Sequence, residues 1–303
     1  MSVVIPTHNG SSTIERSIVS ALNQDGLAEV IVVDDGSDGE ERASVESIVA
    51  AHPGVKAMYL PEASGRPAHP RNEGVRHLAT CDLVLFLDDD DELLPGALPA
   101  LVEASSDGVA LVAGDCRVEE EEGAYLSSAH FGVPEGPEAL LEKNYWPLHA
   151  ICFRREWFDR LGGFDTRLAA LEDWHLILRV LLSGGTFRTV EQLVAVYYPR
   201  AAGVSRWQSP DQPLVQGFAR VDMFKHLYAE FGRPELQACS DDARRRLGLQ
   251  RLGLVANGMY GRQQWFPSLV RGAREAGWTK DGRYALVRAL LGAERFERAR
   301  QRV

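Results

Sequence analysis

Cysteine is scarce: the four in 303 residues, Cys81, Cys116, Cys152 and Cys239, stand far apart with no CxxC spacing. That excludes a recognisable zinc site or disulfide framework and leaves reduced thiols of a cytosolic protein as the expectation. Basic charge is also in deficit, with 33 Lys and Arg against 43 Asp and Glu and a net charge of -10. Phosphate backbones are held by clustered cations, so a general nucleic-acid binder is excluded. No run approaches the roughly 20 apolar residues of a membrane span, so no transmembrane segment is expected and any membrane contact is peripheral. The apolar start, Ser2 to Pro6, lacks the basic region and the length of a signal peptide. Neither GxGxxG nor a Walker sequence occurs, which disfavours a Rossmann dehydrogenase and a P-loop enzyme. There is no internal repeat.

What is present is ordinary globular composition, 45% hydrophobic and 25% charged, in a chain long enough for one large domain and an appendage. The first hundred residues alternate. Val3-Val4-Ile5, Val30 to Val33, Val55 to Leu60 and Leu83 to Leu87 read as strands. Helices are expected between them, the first opened by a capping box at Ser12-Thr13-Ile14-Glu15, another running through Val45, Ile48 and Val49, and a third from about Pro70. Uninterrupted apolar strands suit a parallel sheet covered on both faces. A strand is expected at Val109 to Ala113, then an exposed, irregular excursion through Glu119 to Pro137. Order resumes at His149 to Phe153, followed by helices around Trp157 and from Leu171 to Leu182, and a last strand at Val194 to Tyr198. Beyond Gln212 the pattern is helical, with Phe218, Val221, Phe224, Leu227 and Tyr228 as one apolar stripe. Arg283 to Arg302 reads as an amphipathic helix, packed on its own domain or on a membrane surface.

Three strands end in polar groups that a doubly wound sheet gathers into one crevice: Thr7-His8-Asn9, Asp34 to Ser37, and Asp88 to Asp91. The run Asp88-Asp89-Asp90-Asp91-Glu92 repels itself unless a cation relieves it. Asp88 and Asp90, two apart on an extended segment, fall on one side as a DxD pair able to hold Mg2+ or Mn2+. An acidic helix N-terminus explains the run equally well in isolation. An EF-hand is disfavoured, since its sixth position, here Leu93, must be Gly. The Asp34 to Asp38 cluster is either a turn or a carboxylate pocket for a nucleotide base and ribose. Arg71 either caps its helix or reaches a diphosphate, and Glu172-Asp173 either complements a helix dipole or supplies a general base.

Taken together these segments resemble glycosyltransferase family 2. Val3 to Asn9, Val32 to Asp38, Arg71-Asn72-Glu73-Gly74, Phe86 to Asp91, Gly162-Gly163-Phe164-Asp165 and Glu172-Asp173-Trp174 stand in that family's order, over roughly residues 1 to 205. The resemblance implies an α/β GT-A fold, Rossmann-like with a mostly parallel central sheet, over 1–210, followed by a C-terminal helical region at 211–303. It implies an inverting enzyme that moves a sugar from a nucleotide diphosphate, UDP or dTDP favoured, to an acceptor hydroxyl. Pro6, Thr7, His8, Asn9, Asp34, Asp35, Arg71, Asp88 and Asp89 would bind the nucleotide-sugar. Asp90, with Asp88, would hold Mn2+ or Mg2+, and Asp173 would be the base.

Two departures from the family pattern stand out. His8 replaces a common tyrosine, and Tyr198 to Ser205 lacks a common histidine, so a further metal ligand from that segment is not expected. Glu172, His149 and Trp207 are further candidates for donor or acceptor contacts, Trp207 with Arg200 and Arg206 on a closing loop. A hydrogen-bonded structural role competes for His149, a surface role for His175, and core packing for Trp146 and Trp207. The competing functions are a metal-dependent nucleotidyltransferase or phosphohydrolase, and a non-catalytic nucleotide-sugar-binding subunit. Polysaccharide, lipid-linked and small-molecule acceptors all remain open.

Overall fold

The computed structural model describes residues 1–25, 28–106, 108–120, 123–199, 212–257, 262–277 and 279–291. It has two compact units, Met1–Arg200 and Ala201–Val303. The first opens with the expected alternation of β1 (Ser2–Thr7), α1 (Ile14–Leu22), β2 (Glu29–Asp34), α2 (Gly39–Ala50), β3 (Lys56–Tyr59), α3 (Ala68–His77) and β4 (Leu83–Phe86). It continues through β5 (Glu92–Leu93), α4 (Ala97–Ala104), β6 (Leu111–Glu120), β7 (Gly123–Leu126), α5 (Ser127–Phe131), β8 (Ile151–Arg154), α6 (Arg155–Leu161), α7 (Glu172–Leu182) and β9 (Phe187–Tyr197).

All these strands form one sheet in the order β3-β2-β1-β4-β8-β6-β9-β5, with β7 paired to β6. The four strands of the alternating half are parallel. β8 enters antiparallel between β4 and β6, and β9 then runs parallel to β6. The period-2 alternation of strand side chains explains the two layers. Val3, Ile5, Val30, Val32, Leu85 and Leu87 share a core with Ile14 and Ile18 of α1, Val45 of α2 and Leu98 and Leu101 of α4. On the opposite face α3 lies so close that a Cβ on Gly74 would stand 2.8 Å from Val4 and 2.9 Å from Val33. Phe86 packs there against Phe153, Phe158 and Phe164.

Several expectations are corrected. The capping box is not formed: Thr13 is the N-cap of α1 but makes no side-chain cap bond. β6 does not stop at Ala113 but runs on through the acidic stretch, because β9 on one side and β7 on the other pair with it. The last strand begins at Phe187, not Val194.

In the second unit α8 (Gln212–Phe231), α9 (Pro234–Ala256), α10 (Arg262–Ala276) and α11 (Lys280–Leu291) form an all-helical unit in which α9 packs against the other three. Gly248 of α9 permits the close approach, since a Cβ there would meet the backbone of Ala276. The stripe on α8 is split: Val221, Phe224 and Leu227 are buried while Phe218 and Tyr228 are exposed. No helix of the described residues is long and apolar enough to cross a membrane.

Candidate active site

The carboxyl ends of β1, β2 and β4 meet. The Thr7 hydroxyl donates to Asp89 Oδ2 at 2.6 Å, and the Asp35 N–H donates to the Thr7 carbonyl at 2.8 Å. His8 Nδ1 lies 3.0 Å from the Asp35 carbonyl, which makes it the donor. The Asp35 carboxylate accepts the N–H and hydroxyl of Ser64 at 3.1 and 2.7 Å. Asn9, in the left-handed region at φ 56, exchanges two hydrogen bonds with Asp38 and so joins the β1 and β2 loops. Pro6 is buried in β1, paired in register with Val33. Asp34 is fully buried. Its Oδ1 accepts the Ser37 N–H at 2.8 Å, while its Oδ2 has no hydrogen-bond partner among the described residues. A buried, unpaired acceptor of this kind carries a desolvation cost.

The acidic run is a turn rather than an extended segment. The Asp91 N–H donates to the Asp88 carbonyl at 3.2 Å, so residues three apart, not two apart, approach each other. Asp91 is fully buried. Its Oδ1 accepts the Tyr198 N–H at 2.8 Å and its Oδ2 lies 3.0 Å from His149 Nδ1. Arg16 and Ser17 of α1 donate to the carbonyls of Asp90 and Asp91, clamping the turn from behind. Oxygen or nitrogen atoms of Asp88, Asp91 and His149 lie within 4.8 Å of one another, a set that could hold a metal ion. Asp88 and Asp90 are half-buried beside them. Burial, with the carboxylates of Asp91, Asp88 and Asp90, pushes the Tyr197 phenol well above its ordinary range. That is the concentrated negative potential anticipated for this run, and its carboxylate oxygens suit Mg2+ or Mn2+.

His149 is 3% exposed. Its Nε2 lies 3.2 Å from Cys116 Sγ and its ring stacks on Tyr197 at 5.3 Å. Burial opposes charge on the ring, but Asp91 and Cys116 outweigh it and hold the imidazole well above the usual histidine range. Both ring nitrogens face groups of the protein, Asp91 and Cys116, so His149 backs the acidic turn.

Arg71 joins the two halves of the site. Its guanidinium donates to Asp88 Oδ1 at 2.6 Å and to Glu172 Oε1 at 2.8 Å. Burial would lower its pKa, yet Asp88 and Glu172 raise it. The same turn of α3 is held by the next residue, Asn72, which exchanges two hydrogen bonds with the backbone of Phe164 in the Gly-Gly-Phe-Asp segment.

Asp173 follows Glu172 in the first turn of α7, which begins after Leu171 at φ 64 and ψ 23. A non-glycine residue there costs about 1 to 3 kcal/mol, the kind of strain found where a side chain must be aimed. Asp173 Oδ1 accepts the Trp174 N–H at 2.7 Å, and Oδ2 accepts Asn144 Nδ2 at 3.2 Å. Burial, then the adjacent Glu172, push its pKa up to about 6.

The remaining candidates divide. Trp146 is core, packed edge-on to Phe187 at 5.4 Å. His175 is buried rather than on the surface, because it lies on the inner face of α7. Trp207, Arg200 and Arg206 lie outside the described residues. Sequence reasoning missed Asn144, Ser64 and the pairing of Asp91 with His149. Asn144 carries no local signal, and Asp91 was hidden within a run of identical residues.

Residues 2–162 match the family model described as Glycosyl transferase family 2. Among curated proteins, the chain is 36% identical over 122 residues to a GalNAc(5)-diNAcBac-PP-undecaprenol beta-1,3-glucosyltransferase of Campylobacter jejuni subsp. jejuni, covering 40% of this chain and 39% of that protein. The chain spans 39% to 62% of the length of the first curated relatives it matches. Among solved structures, S. aureus TarS 1-349 in complex with UDP-GlcNAc matches with a TM-score of 0.67 and 18% identity, over 99% of this chain and 91% of that one. The mannosyltransferase PcManGT of Pyrobaculum calidifontis, in complex with GDP-Man and Mn2+, matches with a TM-score of 0.58 and 22% identity, over 96% of this chain and 85% of that one. At these identities the two structures establish the shared fold.

Proposed function

The chain belongs to glycosyltransferase family 2, and from that membership we propose that it transfers a sugar, with inversion, from a nucleotide diphosphate to an acceptor hydroxyl. UDP or dTDP is the favoured carrier. Family membership favours this reading over a nucleotidyltransferase or phosphohydrolase, which would release pyrophosphate or inorganic phosphate instead of nucleoside diphosphate, and over a non-catalytic subunit, which would bind a donor analogue without turnover. The observation that carries the mechanism is the Arg71 bridge, which places the metal-type acidic turn, through Asp88, and the Glu172-Asp173 pair within two hydrogen bonds of each other.

In this reading the β1 and β2 ends, Pro6, Thr7, His8, Asn9, Asp34 and Asp35, receive the base and ribose. Asp88 and Asp90 would hold Mn2+ or Mg2+, and Asp91, with a carboxylate oxygen within 4.8 Å of one of Asp88, could share that duty. When bound, the ion neutralises charge on the departing diphosphate. Asp89, tied to Thr7, fixes the turn that presents them. Arg71 adds a fixed positive charge near the leaving group.

Asp173, with a pKa near 6, is ionised at neutral pH yet basic enough to take the proton of an acceptor hydroxyl. Inversion then follows from attack on the face opposite the diphosphate. We assign the transferase to residues 1–210, followed by the C-terminal helical region at 211–303, and expect a cytoplasmic location. Polysaccharide, lipid-linked and small-molecule acceptors are the candidate classes.

The test is a thermal-shift screen of nucleotide-sugars with Mn2+ or with chelator, followed by Asp173→Asn. A UDP- or dTDP-sugar should stabilise only with metal, and Asp173→Asn should keep that shift while losing transfer. Equal shifts in chelator, or undiminished transfer, would overturn the reading.

A further inference from the structure

Asp173 makes one contact that the proposed mechanism does not use. The segment before β8 is pinned to the first turn of α7 at two points. Trp174 Nε1 donates to the Leu140 carbonyl at 2.7 Å, and Asn144 Nδ2 donates to Asp173 Oδ2 at 3.2 Å. The orientation of the Asn144 amide is settled by its other end, whose Oδ1 accepts the Trp146 N–H at 3.3 Å. Turned over, it would set a carbonyl against a carboxylate and an NH2 against an N–H. Asp173 Oδ1 is bound to its own helix through the Trp174 N–H. Asn144 therefore governs the one oxygen left to meet a substrate.

We propose that Asn144 is a positioning residue for the base: its amide aims Asp173 Oδ2 and stabilises the carboxylate in its ionised form. A donor to the charged form of an acid favours that form. The charged groups facing Asp173 are Glu172 on its own helix, which opposes ionisation, and Arg71 from α3, which favours it. Arg71 is already shared between Asp88 and Glu172. On the side of the 140–146 segment, Glu142 and Lys143 are exposed, and the Lys143 ammonium lies over the Tyr145 ring at 4.5 Å. The neutral amide is thus the polar contact this segment offers to Asp173, and its second N–H can donate to an oxygen of the incoming acceptor. The inference rests on the reading of Asp173 as base.

The experiment is a carboxyl 13C NMR titration of the full chain, with Asp173 assigned by the signal lost in Asp173→Asn. Asn144→Ala removes the donor, and the Asp173 midpoint should rise by about one pH unit. Asn144→Asp keeps an acceptor for the Trp146 N–H but sets a second carboxylate against the first, so its midpoint should rise further. The acid limb of transfer, measured with whichever nucleotide-sugar supports turnover, should move with it. If the amide merely braces the Trp146 turn, removing it leaves the Asp173 midpoint where it stands in the wild type, so an unmoved midpoint in Asn144→Ala overturns the proposal. Transfer that survives in Asp173→Asn defeats the base assignment instead, whatever Asn144 does to the titration.

Discussion

The hydroxyl of Thr7 and the carboxylate of Asp89, 82 residues apart in the chain, meet at 2.6 Å. Both groups are buried, and Gly10 closes over them so tightly that a Cβ on it would stand 1.9 Å from Asp89 Oδ2. Removing the donor leaves a buried carboxylate short of a partner. Thr7→Val should therefore cost about 2 kcal/mol in denaturant unfolding, and Thr7→Ser should recover most of it.

Gly74 tests the packing of α3 on the sheet. A methyl group there meets Val4 and Val33 below ordinary contact distance. Both are central strand residues that cannot withdraw. Gly74→Ala should lower stability by about 1 to 3 kcal/mol despite the better helix propensity of alanine. Because Arg71 is one turn away on the same helix, metal-dependent donor binding should weaken as well.

Asp173 gives two pH dependences of opposite sense. Its carboxyl rises from 3.8 to about 6 in the folded chain, so transfer should fall as pH drops through about 6. A raised acid favours its protonated form in the fold, so its charge erodes stability as pH rises from about 4 to 6. Asp173→Asn should consequently be more stable than the wild type at pH 7, by about 1 kcal/mol after allowance for solvent screening of a half-buried group, and equal to it near pH 4. Thermal melts at the two pH values decide this.

Glu29 behaves in the contrary way. Burial works against its charge, but Lys56, Ser2 and Thr80 together lower its pKa from 4.5 to about 2. A depressed acid contributes stability that is complete above about 4.5 and is lost as pH falls toward 2. Glu29→Gln should lose about 1 to 2 kcal/mol at pH 7 and nothing at pH 2, as read from urea midpoints.

Asp88→Asn separates the metal from the Arg71 bridge. The amide keeps an oxygen for the Arg71 guanidinium but halves the ligand capacity and removes a charge. Mn2+-dependent stabilisation by a nucleotide-sugar should drop at least tenfold in apparent affinity while the melting temperature without ligand changes little. A large fall in ligand-free stability would show instead that Asp88 serves chiefly as a partner for Arg71.

The alternating first half was legible from residues 1 to 100 because apolar period and turn chemistry act over a few neighbours. Val3 to Ile5, Val30 to Val33 and Leu83 to Phe86 are strands for reasons contained in those segments, and each ends in the polar group that marks a ligand crevice. The same holds for the acidic pair that opens α7. Less was legible wherever a partner from far along the chain decides. β6 extends through Glu119 because β7 and β9 pair with it, and β9 starts early for the same reason.

Composition and local pattern thus determined which residues carry charge, which strands can be buried on both faces, and which segments match a sugar-transferring family. Tertiary structure alone decided how those charges face one another. It folded the aspartates into a turn that brings Asp88 toward Asp91, set His149 behind them, stretched Arg71 between Asp88 and Glu172, and laid Asn144 on Asp173. Hydrogen bonds act over about 3 Å and ion pairs over about 4 Å, and the packing that brings those atoms within reach belongs to the whole sheet rather than to any stretch of sequence.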